Sequence, residues 1–135
     1  MKRERYLFDT CTLIWLLQGH KRIKSFWEKH KDNYDDFAIS IDSLKEILYK
    51  QSINRLELKM TYKQMIEAVE NENLQICHFE KRDLDILSGL PFFKENNDPN
   101  DRSIISTAIS RKRVLVTGDS DFKLYENHGL QLLLI

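Results

Sequence analysis

The sequence predicts an α/β domain in three layers, with helices on both faces of a central, mostly parallel sheet. Short apolar runs that suit buried strands alternate with longer segments in which apolar residues recur at helical spacing. Strands that alternate with helices in this way indicate βα units and a sheet that is covered on both faces. A chain of 135 residues is the size of one domain, so we expect a single domain over residues 1–135.

In the first half of the chain, an aromatic run suits a buried strand that ends at Asp9. The segment after Asp9 is almost wholly apolar and suits a buried helix. Ile23, Phe26 and Trp27 recur at i, i+3 and i+4, which predicts a surface helix. The predicted elements are a strand at residues 6–8, helices at 10–17 and 22–31, a strand at 37–41, and helices at 43–49 and 61–71.

The second half contains the clearest helix of the sequence. One apolar stripe is formed by Ile104, Ile105, Ala108 and Ile109. Asp98 and Pro99 precede it and supply an N-cap and a proline for the first turn. The predicted elements are a strand at residues 74–77, a helix at 83–90, a loop at 91–99, a helix at 102–111, and strands at Val114–Thr117 and 131–135.

Composition places the chain among globular proteins. Leu, Ile, Val and Phe make up 41 of 135 residues, well above the roughly 20% below which chains tend to be disordered. Lys and Arg number 21, as do Asp and Glu, so the formal charge is zero. A zero total argues against a uniformly basic nucleic-acid wrapper, but it allows a basic stripe beside an acidic pocket. Two cysteines without a CxxC motif argue against a disulfide scaffold and a structural zinc site.

The N-terminal segment resembles a signal peptide only superficially. A charged start precedes an apolar run, but Asp9 interrupts the run and no small-residue cleavage site follows. The apolar residues 13–17 are too few to cross a bilayer. We therefore expect a cytoplasmic protein with reduced thiols and no membrane partner.

Four acids from distant parts of the sequence are predicted to meet at one edge of the sheet. Asp9 and Asp119 each follow a strand, and ligands of such sheets bind beyond the carboxyl ends of the strands. Glu46 lies near the start of a helix that follows a strand, and such a helix begins at the same edge. Asp101 begins a helix that leads into a parallel strand, which places it there too.

Asp9, Asp119 and the neighbouring Asp121 can each be explained by a structural role without any metal site. Asp9 suits the N-cap of the helix that follows it. Asp119 suits a turn residue in the sequence Thr-Gly-Asp-Ser, and Asp121 has the same explanation. These alternatives stay open for each acid alone, and the functional interpretation depends on the set.

Glu46 and Asp101 also have structural alternatives. Glu46 is spaced to pair with Lys50 at i, i+4 on an exposed helix face. Asp101 suits a first-turn acid that interacts favourably with the helix dipole, with Asp98 as the cap. Asp101 is nevertheless in line with the buried face of its helix, where a solvated acid does not belong.

Crowded carboxylates repel one another, so a cluster of this kind requires a neutralising charge. Hard divalent cations with oxygen ligands provide it, and Mg²⁺ or Mn²⁺ suits an all-carboxylate site. No other source of positive charge is evident in the sequence immediately around the acids. A metal in such a site activates water and stabilises charge at a phosphoryl group, which is the chemistry of nucleases.

Four segments carry a family resemblance over nearly the whole chain: YLFDTCTLIWLL, ISIDSLKEILYK, LPFFKENNDPNDRSIISTAI and VLVTGDSDF. In order and spacing they resemble the PIN-domain ribonucleases, and within them the VapC-type toxins of toxin–antitoxin pairs. The resemblance implies a PIN-like α/β/α fold and a metal site formed by four acids, Asp9, Glu46, Asp101 and Asp119. Asp121 is the candidate for a further polar ligand that the family commonly has just after its fourth acid.

The same resemblance implies a function and partners. It implies a divalent-metal-dependent endoribonuclease that hydrolyses RNA phosphodiester bonds with a metal-activated water, and a toxin neutralised by a small antitoxin protein. A homodimer in which two acidic sites flank a shared groove is also implied. We expect the helices at residues 22–31 and 61–71 to frame an apolar groove for the antitoxin, unless these faces simply cover the sheet. Cys11 and Asn97 depart from the commonest family pattern, which suggests a different substrate preference.

Two other functional classes compete with this prediction. A non-catalytic module would use the acids to bind a structural metal or a partner protein. A structure-specific DNA nuclease of the flap-endonuclease type is disfavoured because such chains are much longer. Basic runs at residues 2–5, 20–24 and 111–113 are candidate phosphate contacts, although such runs are usually solvated surface. Trp15 and Trp27 are predicted to belong to the core instead of stacking on bases.

Overall fold

The computed structural model describes residues 3–32 and 35–135. Helices cover both faces of a five-stranded sheet, which confirms the predicted three-layer α/β/α architecture. The strands are β1 (Arg5–Phe8), β2 (Asp36–Ser40), β3 (Gln75–Cys77), β4 (Val114–Thr117) and β5 (Gln131–Leu134). The α-helices are α1 (Thr10–Gln18), α2 (Lys21–His30), α3 (Ile41–Ser52), α4 (Tyr62–Asn71), α5 (Lys81–Gly89) and α6 (Pro99–Ser110), and a 3₁₀ helix spans Ser120–His128.

The sheet is parallel throughout, and β1 is its central strand. The order is β3-β2-β1-β4-β5, with parallel pairing at every step. The chain runs outward from β1 to β3 and then returns to the other side of β1 for β4 and β5. The strand order therefore reverses beside β1, and in sheets of this kind ligands bind beyond the carboxyl ends of the strands at that point. Asp9 follows β1 directly and occupies this position.

Two apolar clusters form the core, one on each face of the sheet. Successive side chains of β1 alternate between them: Phe8 packs in the first cluster and Leu7 in the second. Ile104 and Ile105, from the predicted apolar stripe of α6, are fully buried in the second cluster. This burial fixes α6 against the sheet and sets the direction of the side chains at its first turn.

Helix starts follow local capping groups. The Asp98 carboxylate accepts a hydrogen bond from the backbone N–H of Asp101 at 3.0 Å, so α6 begins at Pro99, three residues before the predicted start. The 3₁₀ helix was not predicted; its buried residues Phe122 and Tyr125 repeat at three residues, a period that differs from those of α-helices and strands. None of the helices in the described ranges is both long and apolar enough to cross a membrane.

The arginines of the basic run at residues 111–113 hold the fold together. Arg111 lies 3.0 Å from the Asp83 carboxylate, which is fully buried. Arg113 is also buried, and its two terminal nitrogens donate to the Asp36 carboxylate at 3.0 and 3.2 Å. Both guanidinium groups are therefore committed to internal ion pairs, and the prediction that this run contacts phosphate is wrong for them.

The strand residue of the basic run at residues 2–5 lies away from the sheet edge that carries Asp9. Arg5 begins β1, so it is at the opposite, amino edge. Its guanidinium lies 3.6 Å from the Asp36 carboxylate and donates to the Arg111 carbonyl at 3.2 Å. Lys2, the first residue of this run, lies outside the described residues.

Candidate functional site

An open pocket of about 570 Å³ lies at the carboxyl edge of the sheet, and we call it the acid pocket. It brings together the four predicted acids, although they are far apart in the sequence. Asp98, predicted only as a helix cap, is the fifth carboxylate. The acids that line the pocket are Asp9, Glu46, Asp98, Asp101 and Asp119. The convergence predicted from the topology of a parallel sheet is thus present in the structure.

Asp9 is buried at the floor of the pocket, and both of its carboxylate oxygens are held. Oδ1 accepts a hydrogen bond from the backbone N–H of Thr12 at 2.8 Å. Asp9 is therefore the N-cap of α1, which is the structural role predicted from the sequence. Oδ2 accepts a hydrogen bond from the Thr117 hydroxyl at 2.6 Å. Burial raises the pKa of Asp9, although the hydrogen bonds from Thr117 and Thr12 oppose that rise. The Asp9 carboxylate therefore has a fixed orientation between β1 and β4.

Glu46 projects into the pocket from α3 and also forms the predicted pair with Lys50. The Lys50 ammonium lies 2.7 Å from Oε2 of Glu46. Oε1 accepts hydrogen bonds from the Thr10 hydroxyl at 3.2 Å and the Asn100 amide at 3.4 Å. The two explanations of Glu46 are thus compatible, because the pair with Lys50 forms within the pocket wall.

Asp101 lies in the first turn of α6 and is crowded by other acids. The pKa of its carboxyl is raised from 3.8 to about 7, first by burial and then by the negative charges of Asp98, Asp9, Glu46 and Asp119. A surface capping acid would be stabilised in its ionised form by the helix dipole. The opposite shift at Asp101 shows that its surroundings disfavour its charge.

Asp119 and Asp121 both follow β4, but they have different positions: Asp119 precedes the 3₁₀ helix, and Asp121 lies in its first turn instead of in the predicted turn. Asp119 is exposed and lines the acid pocket. Its Oδ1 accepts a hydrogen bond from the backbone N–H of Asp121 at 2.9 Å, so Asp119 also caps the 3₁₀ helix. Asp121 is exposed and is not among the residues that line the pocket. Asp119 therefore combines the turn role with a place in the pocket.

Two basic side chains and a tryptophan also line the acid pocket, and the sequence analysis did not place them there. Among the described residues, Lys50 and Arg22 are the basic side chains in the pocket wall. The expectation that the acids have no positive charge nearby is wrong for Lys50. Lys50 lies one helical turn after Glu46 on α3, so its side chain reaches the pocket wall beside Glu46. Trp15 packs against the first core cluster, as predicted, but it is only partly buried and also lines the pocket. Its spacing of four from Cys11 puts both on one face of α1, which is the one sequence signal for this position.

The chemistry of the acids suits a hard divalent cation. Every candidate ligand is a carboxylate, and five carboxylates face two cations in the pocket wall. Burial is the main cause of the raised pKa of Asp101, and the negative charges of its acidic neighbours raise that pKa further. Within the described ranges, no group of three or more His, Cys, Asp or Glu side chains is arranged so that it could hold a metal ion. The fit to a metal therefore rests on donor type and charge, and not on coordination geometry.

Comparisons with known proteins agree with the fold. Residues 6–127 match the family model of the PIN domain. The chain also resembles the crystal structure of VapBC2 from Rickettsia felis bound to a DNA fragment from their promoter, with a TM-score of 0.74 and 22% identity over 96% of this chain and 98% of that one. A comparison with curated protein sequences finds no significant match.

Two further solved structures share the fold. VapBC-1 from nontypeable Haemophilus influenzae aligns with a TM-score of 0.65 and 20% identity, covering 96% of this chain and 97% of that chain. DNA-bound VapBC from Salmonella typhimurium aligns with a TM-score of 0.64 and 19% identity, covering 98% of each. At these identities the likeness concerns the fold.

Proposed function

The chain belongs to the PIN-domain family of nucleases, and we propose that it is a divalent-metal-dependent endoribonuclease that acts as the toxin of a toxin–antitoxin pair. One observation carries this proposal. Asp9, Glu46, Asp101 and Asp119 come from four separate elements and line one pocket at the carboxyl edge of the sheet. Packing of the core does not require such a convergence, and the repulsion within it is costly without a cation.

In this proposal Asp9, Asp101 and Asp119 hold Mg²⁺ or Mn²⁺. A bound ion of this type supplies an activated water and offsets charge on the phosphoryl oxygens. Thr117 and Thr12 keep the Asp9 carboxylate oriented before any ligand arrives. Such preorganisation favours catalysis because the protein does not have to reorganise during the reaction.

Glu46 has a separate role, as a ligand or as the group that orients the attacking water. The Thr10 hydroxyl and Lys50 hold its two oxygens, one each. Lys50 also lowers the cost of placing a fourth carboxylate beside the other three. Asp121 remains a proposed ligand of lower priority, because its side chain is exposed outside the pocket.

An antitoxin is the proposed protein partner, and the chain is proposed to form a homodimer. VapBC complexes are among the structures that share the fold. A second cavity of about 310 Å³, which we call the apolar groove, supports an antitoxin site. Leu16, Ile23 and Trp27 line it from α1 and α2, and Glu72 closes it at the end of α4. The groove expected between the helices at residues 22–31 and 61–71 differs from this cavity, which lies between α1 and α2 and meets the second helix only at Glu72, just beyond its end.

Cleavage assays with a metal series test the proposed function. We expect labelled single-stranded RNA to be cleaved in Mg²⁺ or Mn²⁺, and cleavage to stop in EDTA. Asp101→Asn should abolish cleavage while circular dichroism shows a folded chain. Asp85→Asn is the matched control, since Asp85 is an exposed acid of α5 that pairs with Lys81 on the surface.

The outcomes distinguish the competing functions. Undiminished cleavage in EDTA would contradict the metal mechanism, and loss of folding in Asp101→Asn would favour a structural metal site. A DNA strand of the same sequence serves as the parallel substrate. Cleavage of the DNA strand alone would replace the ribonuclease assignment with a DNA nuclease.

A further inference from the structure

The Arg22 side chain is held at the rim of the acid pocket by two contacts. Its guanidinium carbon lies 4.5 Å from the ring centroid of Trp15, in a cation–π arrangement. One terminal nitrogen donates a hydrogen bond to the backbone carbonyl of Ile135 at 2.9 Å. A long, exposed side chain would otherwise lose several rotamers on binding a ligand, so these contacts reduce the entropic cost of using it.

Arg22 has no side-chain counter-ion among the residues at positions 3–32 and 35–135. No Asp or Glu carboxylate in those ranges lies within ion-pair distance of its guanidinium, and its hydrogen-bond acceptor is a main-chain oxygen of Ile135. Lys50, the other cation of the pocket, is already paired with Glu46. An arginine presents five N–H donors in a planar fork, and that fork matches the oxygens of a phosphate. Arg22 is thus the cation of the pocket wall that is available to an anion.

The sheet order places Arg22 and Lys50 on opposite sides of Asp9. Lys50 lies on α3, which directly follows β2, and β2 is next to β1. Arg22 contacts Ile135, the residue after β5, on the other side of β1. Lys50 and Arg22 therefore flank the acids within one pocket.

The position of Arg22 is also tied to the turn that carries Asp119. A Cβ atom built on Gly118 would lie 2.5 Å from Cη2 of Trp15 and 3.3 Å from a terminal nitrogen of Arg22. The Trp15 ring thus packs against the bare backbone of Gly118, immediately before Asp119. Trp15 therefore contacts both the Arg22 guanidinium and the turn that carries Asp119.

We propose that Arg22 is a substrate-binding residue that contacts the RNA phosphate adjacent to the scissile one, with Trp15 holding its guanidinium in place. The inference rests on the proposed function, because it assigns the substrate a path through the same pocket. Of the basic residues at positions 20–24, which were candidate phosphate contacts, the proposal assigns a contact to Arg22 alone. Arg22 increases the affinity for the RNA and fixes the position of the RNA strand in the pocket, and the acids carry out the cleavage.

Binding titrations against salt test this inference. Anisotropy of a short fluorescein-labelled single-stranded RNA is measured with Mg²⁺ in the Asp101→Asn background, between about 50 and 200 mM salt. Arg22→Gln should weaken binding about tenfold and reduce the salt-dependence slope by about 0.7, the value for one phosphate contact on a single strand. Arg22→Lys should retain the slope with weaker binding, because it keeps the charge and loses the fork.

Lys21→Gln is the matched control, since Lys21 is exposed on the same helix and lines neither cavity. It should change neither affinity nor slope by a comparable amount. In the active chain, Arg22→Gln should raise KM with little change in kcat. Equal slopes for Arg22→Gln and Lys21→Gln would overturn the inference while leaving the ribonuclease intact. A parent chain that neither binds nor cleaves RNA would refute the proposed function and the inference with it.

Discussion

Asp101→Asn tests the charge balance of the acid pocket, since it keeps the shape of the side chain and removes one negative charge. The pKa of Asp101 is raised to about 7 by burial and by its acidic neighbours. The folded chain therefore holds a proton on Asp101 more tightly than the unfolded chain does. Stability falls as the pH rises from 3.8, the unfolded pKa, to about 7, and the full penalty is present above that.

The size of the penalty follows from the pKa difference. A rise from 3.8 to about 7 corresponds to about 4 kcal/mol, at about 1.4 kcal/mol per pKa unit. Asp101 faces an open pocket in which solvent screens the charges, so we expect about 1–2 kcal/mol. The substitution also loses the favourable interaction of a first-turn acid with the helix dipole, about 0.3–1 kcal/mol. The net expectation at pH 8 without metal is a gain of about 1 kcal/mol.

Thermal melts in EDTA measure this gain directly. For a chain of this size, Asp101→Asn should melt about 4 °C above the parent at pH 8. The difference should shrink as the pH falls towards 4, because the parent then carries a neutral Asp101. The control Asp85→Asn should show no such pH-dependent gain. A variant that is less stable than the parent at pH 8, and that still cleaves RNA in Mg²⁺, would show that Asp101 is only a capping acid.

Three further predictions concern other parts of the molecule. Gly118→Ala should lower stability by about 1–3 kcal/mol in urea melts and reduce cleavage, because the added Cβ displaces Trp15; unchanged cleavage would refute the tight packing of this turn. Asp36→Ala should cost about 3–5 kcal/mol in the same melts, because it leaves the buried Arg113 without its carboxylate counter-ion, and full stability would contradict that account. Co-expression with an antitoxin encoded by an adjacent gene, followed by size-exclusion chromatography, should yield a complex, and separate elution would count against the apolar groove.

The sequence alone predicted the architecture because its local signals agree with one another. Short apolar strands alternate with amphipathic helices, and β1 ends at an acid that caps the next helix. The stripe of Ile104 and Ile105 identified the buried face of α6 correctly. The 3₁₀ helix after Asp119 was missed, because its period of three residues differs from those of α-helices and strands.

The convergence of the acids was also predictable, for a topological reason. In a parallel sheet, every strand ends at the same edge and every following helix begins there. Asp9, Glu46 and Asp119 could therefore be placed together without coordinates. The structure adds that Asp9 and Asp119 also cap helices, and that Glu46 also pairs with Lys50. The structural and functional explanations of these acids are therefore not alternatives.

Only the tertiary structure decided which cations serve the fold and which face the pocket. Arg22 and Arg113 lie in similar basic runs, and nothing in their local sequence separates them. Arg113 is buried against Asp36, 77 positions away in the chain, whereas Arg22 lies on Trp15 at the pocket rim. Spacing along a helix or strand reports the face on which a side chain lies, but not what the rest of the chain packs against it. The sequence therefore determined the edge at which the acids meet, and long-range packing determined the positive charges around them.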